Sequence, residues 1–229
     1  MKKNLILAFA AIAIAFSSCN KPKGEEAKVE DAKEVTTADT TSNAFMVSAD
    51  SSYLWWEGSK PVGDAHYGKM KIKEGNISVD AGSIVGGSFV IDIASMKDED
   101  LKDAESAKKL EGHLLSADFL DVAKFPNANF QITSVTPFTE GTADGKLDPN
   151  GFNVEKPTHN ITGNLTLKDS TKSITFPAQI QLNDAGLVAD AKFLLDRTKF
   201  GVTYMSDLSI KDKLINHKVK MHIHLVANK

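Results

Sequence analysis

Alternating apolar and polar residues recur from Phe45 onward, in short segments punctuated by glycine. In the clearest segment, Phe89, Ile91 and Ile93 share one face of an extended strand, while the residues between them face the other way. Such alternation is typical of antiparallel sheets that bury one face and leave the other in water. Nine β-rich segments are predicted as strands: 53–56, 68–72, 77–79, 88–93, 130–135, 160–167, 173–182, 188–195 and 218–226.

Turns and one helical segment separate these strands. Residues 74–76, Glu-Gly-Asn, and residues 184–186, Asp-Ala-Gly, each suit a hairpin turn. Residues 98–122 are charged and rich in alanine and leucine, with Leu110, Leu114, Leu115 and Phe119 at helical spacings. This segment is predicted to form one or two short helices between strands, either as a static cover over the core or as a flap that closes one side of the barrel.

These elements predict an all-β fold. Eight or nine strands suit a sandwich or an up-and-down barrel, and glycines inside the strands favour the more strongly curved barrel. We therefore expect an antiparallel β-barrel of about eight strands with a short helical insertion. Closure of the sheet would bring its apolar rows together around one elongated cavity, although the same rows also describe a filled core. The predicted lining residues are Met70, Ile72, Phe89, Ile91, Ile93, Phe130, Ile132, Ile161, Leu165, Leu167, Phe193, Leu195, Met221, Ile223 and Leu225.

The N-terminus has the layout of a secretory signal. Lys2 and Lys3 precede an apolar run over residues 5–16, which is too short for a permanent membrane span. The run ends in two serines and Cys19, the only cysteine of the chain, and this arrangement resembles the lipobox of bacterial lipoproteins. We expect residues 1–18 to be a signal peptide and Cys19 to carry the lipid anchor. The alternative is an ordinary signal peptide with an incidental cysteine.

Residues 19–44 are predicted to be the lipidated cysteine and a flexible tether, because the segment after Cys19 is charged and has no aromatic residue before the barrel domain of residues 45–229. A flexible chain of this length reaches about 25–30 Å.

Asn20 after the cysteine is typical of export to the outer membrane. The periplasmic face is expected, and Glu25-Glu26 leaves display on the cell surface open. The net charge of -3 predicts no nucleic-acid partner. A homodimer stays open.

Five ordered segments of the chain resemble the YceI-like family. They are residues 65–72, 87–96, 110–130, 161–167 and 196–202, and the last of them reads Asp-Arg-Thr-Lys-Phe-Gly-Val. The sequence departs from the family pattern at residues 168–170 and in a long loop over residues 139–157. The resemblance implies a lipocalin-like barrel that holds an isoprenoid or another long-chain lipid, with no other cofactor.

The histidines are candidate polar sites. His66 and His159 share the parity of the inward apolar rows, so they are either hydrogen-bonded core residues or polar groups at the mouth of the barrel. His222 and His224 lie two apart on the opposite face from Met221, and we expect a surface pair and no metal site. Arg197 is expected to tie loops together at a strand end.

No catalytic motif is found in the sequence. The chain has no nucleophile elbow and no phosphate-binding glycine loop, and lipidation would consume its one thiol. The favoured hypothesis is a membrane-anchored, non-enzymatic protein that stores or carries a long-chain lipid in the cell envelope. The alternatives are a ligand-free structural or adhesion barrel and, less favoured, an enzyme built on a lipid-binding scaffold.

Overall fold

The computed structural model describes residues 21–35, 43–139, 151–209 and 213–229. Cys19 and the predicted signal peptide therefore lie outside the described residues. The described chain forms ten strands and one α-helix, α1, at Ala104–Leu115. The strands are β1 Lys28–Asp31, β2 Asn43–Val47, β3 Tyr53–Ser59, β4 Ala65–Asp80, β5 Ser83–Asp98, β6 Asn127–Pro137, β7 His159–Leu167, β8 Ser170–Leu182, β9 Gly186–Asp196 and β10 Lys218–Asn228.

The strands close into an eight-stranded antiparallel barrel in which β2 and β3 together occupy the place of one strand, which confirms the predicted fold. Strands β4 to β10 follow one another around the wall, and each pairs with the next in the chain. The eighth position is shared. Strand β3 bridges β4 and β10 along one half of the barrel, and β2 bridges the same two strands along the other half.

The turn predicted at residues 74–76 is wrong. Strand β4 runs through this tripeptide without interruption, so the two strands predicted on either side of it are one. Gly75 lies opposite Phe89, and a Cβ there would lie 2.5 Å from the Ser88 carbonyl oxygen. The glycine therefore permits close approach of two backbones. The turn between β4 and β5 is formed instead by Ala81 and Gly82, which both have positive φ.

The predicted helical insertion is present as α1. Asp103 begins the helix as its N-cap, because its carboxylate accepts a 2.8 Å hydrogen bond from Ser106 N. Glu111 then fixes the helix to β5 by accepting from Asp98 N at 3.0 Å and from Lys97 Nζ at 3.1 Å. No helix in the described part of the chain is long and apolar enough to span a membrane.

A row of aromatic rings crosses the barrel interior. Phe89 and Phe130 have ring centroids 5.2 Å apart, Phe130 and Phe176 are 5.7 Å apart, and Phe176 stacks on Phe193 at 4.3 Å. All four residues are nearly fully buried. Such rings contribute a large share of the apolar area that stabilises a core.

The segment before the barrel domain differs from the predicted flexible tether. Its residues 28–31 form β1, which pairs antiparallel with β8, and Ala27 is buried in the core. The side chain of Asn164 in β7 also makes two hydrogen bonds with the backbone of Lys33: its Oδ1 accepts from Lys33 N at 2.9 Å and its Nδ2 donates to Lys33 O at 2.7 Å. The segment is ordered because strand edges of the barrel supply partners for its backbone, which its polar composition does not reveal.

Candidate functional site: an apolar cavity inside the barrel

Two neighbouring apolar cavities lie inside the barrel. The larger has a volume of about 160 Å³ and lies in the half of the barrel where β10 begins. The smaller has a volume of about 40 Å³ and lies toward the other end of β10. Phe89, Phe130 and Ile223 contribute to the walls of both. The single elongated cavity that the sequence predicts is therefore divided at the aromatic row.

The predicted lining residues face the interior of the barrel. All but four of them line the larger cavity, and the four are Ile72, Ile132, Ile161 and Leu225. Three of those four line the smaller cavity. Ile72 lies in neither wall and is completely buried in solid packing. Period-two alternation thus identified the inward faces but did not distinguish a cavity wall from packed core.

The larger cavity also has walls that the prediction missed. Leu54 and Trp56 of β3 line it, and their alternation with the residues between them was a usable signal. Leu114, Phe119 and Leu120 reach it from the end of α1 and the following turns, so the helical segment covers this cavity. The covering turns are fixed from outside by Lys168, whose Nζ donates to Phe119 O at 3.0 Å.

Arg197 lies at the end of the larger cavity where β9 finishes. Its side chain is buried and donates to the carbonyl oxygens of Val202 at 2.6 Å, Ile215 at 3.0 Å and Asn216 at 3.1 Å. Burial lowers the pKa of the Arg197 guanidinium, while the negative charge of Asp196 opposes that shift. Arg197 therefore holds two loop segments together, as predicted, and lines the cavity at this end.

Comparison with known proteins identifies the fold family. Residues 45–227 match the YceI-like domain. The chain belongs to the YceI-like family. Strand β1 and the rest of residues 21–35 precede the matched residues.

Individual relatives agree with this assignment. A UPF0312 protein of Ectopseudomonas mendocina is 36% identical over 115 residues, which cover 49% of this chain and 48% of the relative. The chain thus spans about half the length of the curated relatives it matches. The crystal structure of Burkholderia cenocepacia BcnA has a TM-score of 0.54 at 21% identity and covers 80% of this chain and 99% of its own. A polyisoprenoid binding domain from Saccharophagus degradans, implicated in plant cell wall breakdown, has a TM-score of 0.52 at 12% identity, covering 80% and 97%.

The two polar mouth candidates lie outside the cavity walls of this YceI-like barrel. His66 Nδ1 is 3.0 Å from Asp100 Oδ2, in the loop that follows β5. His159 Nδ1 is 2.9 Å from Thr158 Oγ1. Both histidines are half-buried. The alternation of side chains along the strands predicted that both histidines point inward. Each lies at the start of a strand, however, where a loop or a neighbouring residue provides its hydrogen-bond partner.

His66, Asp98 and Asp100 form a tight polar cluster. Their ligand atoms all lie within 4.8 Å of one another, a spacing that a metal ion could bridge. Each carboxylate also accepts from a backbone amide, Asp98 from Leu101 N at 2.8 Å and Asp100 from Tyr67 N at 2.9 Å. Burial raises the pKa of Asp98; the hydrogen bond from Leu101 N opposes this shift, and the neighbouring Asp100 adds to it. The cluster joins the start of β4 to the loop that leads into α1.

The histidines of β10 form a second polar group on the outer face. His222 Nε2 and His224 Nδ1 are each 2.9 Å from Asp190 Oδ1 of β9, and the Tyr53 ring stacks on His224. Burial lowers the pKa of His222. Burial raises the pKa of Asp190, but the hydrogen bonds to both histidines outweigh it, and the resulting pKa lies below the ordinary value. The pair lies on the outer face as predicted, bonded to Asp190 and half-buried.

Proposed function

We propose that this protein is a lipid-anchored, non-enzymatic lipid-binding protein that stores or carries a long-chain isoprenoid or similar lipid in the cell envelope. The observation that carries this proposal is the apolar cavity that begins at Arg197 and continues, beyond the aromatic row, as a second cavity. A site for an apolar chain needs such a lining, because each methylene that moves from water into it stabilises the complex by about 0.8 kcal/mol. The polyisoprenoid binding domain with the same fold supports an isoprenoid as the ligand.

The size of the resting cavity sets a condition on this function. A volume of about 160 Å³ is close to that of apolar cavities of roughly 150 Å³ that accept benzene, so a long chain needs more room. Phe89 and Phe130 line both cavities, and we propose that their rings move to join the two when a long chain binds. Met70, Met96 and Met221 also line the larger one, and methionine side chains readily change shape. The proposed function therefore requires the barrel to widen when the lipid binds.

A membrane lipid gains much less from this cavity than the same chain would gain on leaving water, because it already lies in a bilayer. Exchange between barrel and membrane is therefore close to balance, and a membrane anchor favours such exchange by keeping the barrel near its source of ligand. Exchange that is close to balance suits storage or transport more than irreversible capture.

Organic extraction and mass spectrometry of the purified full chain test the function directly. We expect a long-chain lipid in an amount comparable to that of the protein. An extract without lipid, from a barrel that also fails to bind added isoprenoid, would contradict the proposal and favour the ligand-free structural barrel.

The anchor gives a separate prediction. Replacement of the thiol in Cys19→Ala should move the protein from the detergent phase to the aqueous phase in detergent phase partitioning, because acyl chains hold it at the membrane. Ser18→Ala is the matched control, since it keeps a small residue before the cysteine and should partition like the natural chain. Unchanged partitioning of Cys19→Ala would show that Cys19 carries no anchor.

A further inference from the structure

The barrel wall has a gap between β8 and β9. These two strands pair with each other only along Gln179–Leu182 and Leu187–Asp190. Over the rest of their length, β8 pairs with β7 on one side and β9 pairs with β10 on the other, so their facing edges are not joined to each other. Unjoined strand edges leave backbone donors and acceptors without partners unless another segment covers them.

Residues 24–31, which we call the strap, fill this gap. The strap pairs Lys28–Asp31 with Lys172–Thr175 of β8. On its other side, Ala27 N donates to Leu194 O of β9 at 2.9 Å, and Leu194 N donates to Glu25 O at 2.6 Å. The wall of the barrel is thus completed by a segment that precedes the YceI-like domain.

The strap covers the side of the larger cavity. Its inward residue Val29 lies opposite Ile174 of β8, which lines that cavity. Phe193 and Leu195, which flank the strap's partner Leu194 on β9, line it as well. Departure of the strap would therefore open an apolar slot that leads from the outside of the barrel into the cavity.

Backbone hydrogen bonds to β8 and β9 hold the strap, but the strap buries few apolar side chains. Its inward apolar side chains are a small buried alanine, Ala27, and the half-buried Val29. Its ion pairs are on the surface: Asp31 pairs with Lys172 at 2.9 Å while its own side chain is 96% exposed, and Glu26 pairs with Lys218. Exposed pairs stabilise little, and segments with few buried apolar contacts open before the rest of a protein. The strap has the properties of a segment that opens locally.

We propose that the strap is a removable strand that closes a lateral portal between β8 and β9, and that a long-chain lipid enters the cavity through this portal. The inference rests on the lipid-binding function proposed above. Gly24 is five residues after Cys19, and five residues span at most about 18 Å. If Cys19 carries the anchor, the portal is held next to the membrane that supplies the lipid, well inside the reach of a free tether over residues 19–44.

A disulfide lock tests the portal. Lys28 and Thr175 are register partners across the strap and β8, on the outward face, so Lys28→Cys with Thr175→Cys can join them. The matched control joins Thr166→Cys and Thr171→Cys, register partners in the β7–β8 wall that does not open. All variants and the reference carry Cys19→Ser, so that only the engineered thiols react. The readout is the rate at which the full chain takes up cis-parinaric acid, a fluorescent 18-carbon fatty acid, in stopped flow.

We expect the oxidised lock to slow uptake at least about tenfold and reduction to restore it, while the control lock changes nothing. A second variant, Val29→Asp, needs no disulfide: a charge on the inward face weakens the strap and should speed uptake several-fold. Equal uptake rates in the locked, weakened and reference proteins would overturn the portal while leaving lipid binding intact. Failure of the reference protein to bind any long-chain lipid would instead contradict the proposed function.

Discussion

The substitution Ile91→Phe should remove the lipid from the barrel while leaving its stability nearly unchanged. Ile91 lies in the wall of the larger cavity, so a phenylalanine ring there would enter existing space. The added ring would occupy volume that the ligand needs. We expect lipid retained after purification to fall about tenfold or more, and the free energy of unfolding to change by less than about 1 kcal/mol.

The matched control is Ile72→Phe on the neighbouring strand. Ile72 is the register partner of Ile91 across β4 and β5, but it is completely buried and lines neither cavity. The same ring should overpack the core there and lower the free energy of unfolding by about 1–3 kcal/mol. Lipid retention should fall less than in Ile91→Phe.

Two measurements on each variant separate the outcomes. Mass spectrometry of an organic extract gives the lipid per protein, and chemical denaturation gives the free energy of unfolding. If Ile91→Phe loses as much stability as Ile72→Phe, and the natural protein holds no lipid, then the barrel interior behaves as a filled core. That result would contradict the proposed function.

The alternation of apolar residues predicted the barrel well because a strand has a fixed side-chain period. Rows such as Phe89, Ile91 and Ile93 had to face one side wherever the strand was placed. The side-chain period does not show that the ring of Phe89 helps to divide the interior into two cavities. That division depends on ring orientation and on partners distant in sequence, such as Phe130.

Glycine was the less reliable signal. A glycine near a polar residue predicted turns both at residues 74–76 and at residues 184–186. The second is confirmed, since β8 ends at Leu182 and β9 begins at Gly186. At the first, the glycine admits the backbone of a facing strand, and a single sequence contains no sign of which strand will face it.

Long-range pairing explains what the sequence could not show. The strap has the composition of a linker, and only the free edges of β8 and β9, more than 100 residues further along the chain, give it structure. His66 likewise has an inward parity, but Asp100 from the loop after β5 supplies its hydrogen-bond partner. Contacts of this kind follow from closure of the barrel and not from local propensity.

The largest loss of stability is expected for Gly68→Ala. Gly68 lies in β4 between Trp56 of β3 and Asp98 of β5, and a Cβ there would be 1.8 Å from the Lys97 carbonyl oxygen. The clash is with backbone, so no side-chain rotation relieves it. We expect the free energy of unfolding to fall by at least about 3 kcal/mol, measured by urea denaturation.

The control for this prediction is Gly58→Ala, one strand away. Apart from its two chain neighbours, no described residue has an atom within 4 Å of a Cβ at Gly58, so alanine should leave stability unchanged or raise it by up to about 1 kcal/mol. Similar stabilities for the two variants would show that β4 and β5 separate easily at Gly68. Because Asp98 N, next to the clash, donates to Glu111 of α1, separation there should also loosen the helical cover. Faster amide exchange in Ala104–Leu115 of Gly68→Ala, but not of Gly58→Ala, would show that the packing of β4 against β5 holds the cover over the cavity.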